Sequence, residues 1–125
     1  MKLITLFAAV LISLASFGQS ANWKEMDDFH AMVSKALHPA EGGNLQPVKE
    51  NSSSLLDKAK AWQASSAPAA FQYPKLKDDL GNLVASCSKL DDAVKTKKSN
   101  KTIKDLAMQT HTAFHTILSA TEKNK

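Results

Sequence analysis

The chain has 125 residues, with sixteen basic side chains against twelve acidic ones, a net charge of +4, four histidines and one cysteine. Every basic residue is a lysine, and a reader of nucleic-acid sequence relies on the planar guanidinium fork of arginine, so nucleic acid is excluded as an expected partner. A single cysteine excludes an internal disulfide and leaves stability to packing or to a ligand.

The chain opens with "MKLITLFAAVLISLASFGQSA": one lysine, an apolar run, then small and polar residues. This is the layout of a secretory signal peptide over residues 1–20, with cleavage after Gly18 or Ala21. The run is too short and wrongly flanked for a membrane span, so the mature protein is expected to have none and to be periplasmic or secreted. No cysteine near the cleavage region offers a lipid anchor. Residues 21–125 are enough for one domain with one core. With Lys2 in the leader, fifteen of the sixteen lysines face twelve acids, about three positive charges in all.

Four helices are predicted. The first begins at Asn22, where "NWKE" fits a cap answered by Glu25. Trp23, Met26, Phe29, His30, Val33 and Leu37 then recur at helical spacing, and Pro39 is expected to end the helix. The loop "HPAEGGNLQP" is dense in turn formers, and Pro47 suits the first turn of the second helix. That helix turns Leu55, Leu56, Ala59 and Trp62 inward, although its opening "ENSSS" is a poor helix former. After "SSAPAAFQYP" the third helix carries Leu76, Leu80, Leu83, Val84, Cys87, Leu90 and Val94, with Cys87 as a small core residue. The lysine-rich "KTKKSNKTIK" reads as a solvated turn. A fourth helix follows with Ile103, Leu106, Ala107, Thr110, Phe114, Ile117 and Leu118. No strand pattern interrupts them, so the expected fold is all-α, an up-down-up-down four-helix bundle.

The histidines fall in two pairs, His30 with His38 and His111 with His115. At about 100° per residue, His111 and His115 lie at one flank of the apolar face of the fourth helix, and His30 lies at a flank of the first. In an antiparallel bundle ending the first helix at Pro39, His30 is level with His111 and Met26 with His115, while His38 stands apart unless "HPAEGGN" folds back. Two imidazoles four residues apart emerge from one face and can chelate one ion; a third, with a thioether, carboxylate or water, completes a copper or zinc site. The candidate metal ligands are therefore His30, His38, His111 and His115, with Met26 as an additional one. "HTAFH" has threonine where a zincin carries its glutamate, and no general base is evident, so no enzyme activity is expected. The bland alternative is a pair that packs and donates to a carbonyl.

The layout resembles the periplasmic four-helix b-type cytochromes. The similarity rests on "AFH" at Ala113, Phe114 and His115, the proline-containing middle loop and "KLDDAVK" in the third helix. That resemblance implies a non-covalent haem b for electron transfer, with His115 as one axial ligand and Met26 or His30 as the other. It gives His111 no role, and without a "CxxCH" the covalent c-type bundles are excluded. The segment "FHAMVSKALHPAEGGNLQP" is also similar to the opening of small exported bacterial proteins in which paired histidines recur at both ends, which implies a metal-binding bundle. Three functions follow as expectations. They are metal handling or sensing through the histidines, haem-based electron transfer, and a ligand-free module docking an exported protein partner.

Overall fold

The computed structural model describes residues 22–123, so the expected leader over residues 1–20 lies outside the described part. Helix α1 runs over Lys24–Met32, passes through a π-helical turn at Val33–Leu37 and finishes as α-helix over His38–Glu41. Helix α2 spans Gln46–Ala64, a 3-10 turn lies at Ala69–Phe71, and helices α3 and α4 span Leu76–Lys95 and Asn100–Lys123. Consecutive helices pack side by side, and α1 returns against α4 chiefly through its π turn and its last α-helical turn. This is the expected all-α, up-down four-helix arrangement. Among the described residues no helix is long and apolar enough to cross a membrane.

The beginning and end of α1 differ from expectation. Trp23, not Asn22, occupies the N-cap position, and no side chain caps it. The indole instead enters the core and donates from Nε1 to Ser65 Oγ at 2.8 Å, while Ser65 Oγ donates to the Trp62 carbonyl at 2.7 Å. Burial of the large ring outweighs a surface cap worth about 1 kcal/mol. Pro39 does not end the helix. It lacks an N–H, and its ring would press on the carbonyl four residues back. The π turn widens the backbone just before it, with the His38 N–H reaching back to the Val33 carbonyl.

The helix ends two residues after Pro39. Gly43 takes φ +92°, its N–H bonds to the Ala40 carbonyl at 3.0 Å, and the Asn44 N–H bonds to the Pro39 carbonyl at 3.0 Å. This paired closure needs a left-handed residue, which glycine supplies without cost from a side chain. It fixes the direction of the last turn of α1 and with it the place of Glu41.

Aromatic rings form the centre of the core. Trp23 meets Trp62 edge-on at 5.7 Å between centroids, Phe29 meets Trp62 and Phe114 at 5.6 Å each, and Trp62 meets Phe114 at 6.1 Å. Cys87 is fully buried among apolar neighbours, as the sequence suggests, and burial pushes its thiol up to about 12. The expected inward residues Leu55, Ala59, Trp62, Leu80, Leu83 and Leu90 are buried; Leu56, Val84 and Val94 pack at the margin.

The awkward "ENSSS" opening of α2 has a partner. Ser52 and Ser53 donate to Asp91 Oδ1 of α3 at 2.8 and 2.9 Å, and Lys95 Nζ bonds Asp91 Oδ2 at 2.8 Å. Burial pushes the Asp91 carboxyl upward, but the hydrogen bonds from Lys95, Ser52 and Ser53 together overcome this and hold it below the ordinary 3.8. The carboxylate is thus more acidic folded than unfolded. Its contribution is complete above 3.8 and drains as pH falls through the lower folded value. Asp91→Ala should reduce stability in urea by about 2–3 kcal/mol at neutral pH, since Ser52 is left buried with its acceptor gone. It should also flatten the acid limb of the stability curve.

Phe114 links the core to the histidine-bearing rim, so its removal is expected to be more severe. Phe114→Ala should cost about 3–5 kcal/mol in the same measurement.

Candidate functional site

The rim of the bundle where α1 closes on α4 gathers three imidazole rings and one carboxylate. His111 and His115 are one turn apart on α4, and their Nε2 atoms approach to 3.0 Å. The His111 side chain is 13 % exposed, while His115 is open to solvent. Nδ1 of His111 lies 3.2 Å from Oε1 of Glu41, in the last turn of α1. The ring of His38 stands edge-on to that of His111 with centroids 5.2 Å apart. Glu41 reaches α4 because the helix continues through Pro39.

This changes the expected pairing of levels. His38, expected to stand apart, is the α1 histidine that meets His111. His30 is exposed and packs instead on Phe114, at 5.3 Å between ring centroids. From His30 to His38 is about 12 Å of helix rise, whereas from Phe114 back to His111 is about 4.5 Å. The ring contacts of α1 on α4 are therefore not matched rung by rung. Met26, also expected at the site, is buried in the core at 8 % exposure. Phe29, Trp62 and Phe114 pack ring to ring within that core, whereas His115 lies outside it against the Phe114 ring at 5.6 Å.

Glu41 is the site residue that the sequence does not reveal. It lies beyond the proline expected to stop the helix, in a stretch whose glycines and asparagine read as loop. A hydrophobic period cannot find it, because the side chain is about half exposed. The only sequence signal is its position three residues after His38, one helical turn away on the same face.

Electrostatics favour the neutral form of His111. Desolvation by burial, first, and the neighbouring His115, second, push its pKa below the ordinary 6.5; Glu41 pulls upward and His38 adds a smaller downward push. Glu41 does not prevail because its carboxylate is 47 % exposed and screened by water. In the Glu41–His111 contact a neutral imidazole therefore donates from Nδ1 to the carboxylate. Neutral imidazole is the form that ligates metals. Among the described residues, however, no three His, Cys, Asp or Glu side chains already stand together as a ligand set.

The lowered value gives His111 a pH-dependent contribution to stability. As pH falls from about 6.5, the unfolded chain takes up a proton at this position before the folded one does, so stability declines with falling pH through that window. Imidazole resonances followed by NMR should show His111 titrating below 6.5, and His111→Gln should remove part of the stability loss.

Comparison with protein-family models, with curated proteins and with solved structures finds no match to this chain.

Proposed function

We propose that the rim between α1 and α4 binds a transition-metal ion, copper or zinc, through Nε2 of His111 and Nε2 of His115, in metal handling or sensing by an exported protein. The observation that carries this reading is the 3.0 Å approach of the two Nε2 atoms on one helix face. Two imidazole nitrogens bound to one tetrahedral ion at about 2.0–2.1 Å stand roughly 3.3 Å apart, so the pair has to open by only a few tenths of an ångström. His38 is the third ligand in this reading, because it is exposed and its ring stands beside that of His111. Water or a partner's side chain supplies the remaining position.

Both metals suit imidazole, with copper(II) favoured by intrinsic affinity and zinc by a tetrahedral arrangement. Buried Met26 is not at this rim, and His30 borders it across Phe114 without sharing a recorded contact with the pair. The aromatic packing inside the bundle favours an ion at the rim over a haem plane in the interior. Solvent exposure of His38 and His115 suits an ion that is taken up and passed on.

Calorimetric titration of the mature protein with zinc and with copper(II) checks this. One equivalent should bind saturably. His111→Ala and His115→Ala should each abolish saturable binding, and His38→Ala should weaken it while Met26→Leu leaves it unchanged. Absence of saturable binding in the unaltered protein, or binding that survives both α4 substitutions, refutes the proposal.

A further inference from the structure

Glu41 Oε1 lies 3.2 Å from His111 Nδ1, and His111 Nε2 lies 3.0 Å from His115 Nε2. An ionised carboxylate only accepts hydrogen bonds, so the proton of neutral His111 resides on Nδ1. Nε2 of His111 is then a bare lone pair. The second contact is a hydrogen bond only if His115 donates its Nε2–H to that lone pair. The three side chains thus form a directed chain in which each ring's tautomer is set by its neighbour. Free histidine in water favours the opposite tautomer, with the proton on Nε2, so His111 is held in its minor form by the protein.

We infer that Glu41 is the positioning residue of the ion site, fixing the ring and tautomer of His111 so that its Nε2 is ready for a divalent cation. The inference rests on the ion-binding reading of the His111–His115 pair and specifies how the α1 end governs it. On ion binding, Nε2 of His115 gives up its proton to solvent and Nδ1 of the same ring takes one up. The proton count is unchanged, and both Nε2 lone pairs face the metal. His111 has no such adjustment to make, because Glu41 has already placed its proton on the far nitrogen. Carboxylates behind metal-bound imidazoles act in this way, orienting the ring and raising its basicity.

The anchoring of Glu41 supports the assignment. Its turn is closed by the Gly43 and Asn44 backbone bonds to Ala40 and Pro39, so the carboxylate is presented from a fixed backbone and not from an open loop. The π turn before Pro39 lets the helix extend this far. Glu41 makes its contact across two helices, which also explains why an exposed side chain can hold a mostly buried ring.

The test combines nitrogen-15 NMR of the imidazoles with zinc titration on the mature protein, comparing Glu41→Ala, Glu41→Gln and a control, Glu50→Gln. Glu50 is an exposed acid on α2 whose recorded partner is Gln46, so the control changes net charge without touching the site. Metal-free unaltered protein should show His111 protonated on Nδ1. Glu41→Ala should shift His111 towards the Nε2–H form and weaken zinc binding about 10–100-fold. Glu41→Gln, whose amide oxygen still accepts, should keep the tautomer and lose less affinity, and Glu50→Gln should match the unaltered protein. If Glu41→Ala keeps both the tautomer and the affinity, or if Glu50→Gln loses as much affinity as it does, the role of Glu41 is overturned while the ion site stands. If the unaltered protein binds no zinc or copper, the ion site itself is overturned.

Discussion

The packing of Phe114 against Phe29 and Trp62 is the contact on which both the bundle and its rim depend. Phe114 belongs to α4, Phe29 to α1 and Trp62 to α2, so three helices are joined by rings that exclude water from their common centre. Aromatic pairs at these separations add to the hydrophobic gain from burying each ring. The outer side of the same phenyl ring supports His30 and His115, so the core directly underlies the polar rim. Trp62 accepts a cost in this arrangement: its indole Nε1 is buried and has no hydrogen-bond partner among the described residues. The retained ring contacts outweigh a penalty of about 1–3 kcal/mol.

Core and rim solve opposite problems on adjacent residues of one helix. Inside, apolar rings interlock and the sole cysteine is an inert filler, kept protonated by burial. At the rim, partial burial keeps His111 neutral, and an exposed carboxylate orients it without charging it. Had Glu41 been buried as deeply as His111, their attraction would be stronger and the imidazolium favoured. The proposed ion site needs the weaker arrangement, because a proton and a metal compete for the same nitrogen.

The fold was legible because apolar residues recur at helical spacing and because proline and glycine mark the connections. Leu76, Leu80, Leu83, Cys87 and Leu90 all face inward as their period requires. The spacing of His111 and His115 was equally legible, since four residues on a helix put two side chains on one face. What the period could not supply was the register of α1 against α4, and therefore which of its histidines meets His111. With Pro39 as the stop, His38 stands at the very end of the helix, too far along for His111, and His30 becomes the natural neighbour. The π turn, a tertiary accommodation with no hydrophobic signature, reverses those roles and brings in Glu41. The Ser52–Asp91 bond was hidden for a related reason: a poor helix-forming stretch gains its place from a partner 39 residues away.

The π turn at Val33–Leu37 also has an evolutionary reading. A π turn amounts to one residue inserted into an α-helix, and each α-helical residue turns the chain by about 100°. Deleting one codon within Val33–Leu37 would restore regular winding and swing His38 and Glu41 round the axis, away from α4. Such a deletion would leave Phe29 and the ring packing upstream where they are. A bundle of this kind could therefore lose its α1 contribution to the rim in a single genetic step, at the expense of the buried Ala36, Leu37 and Ala40 that turn with it.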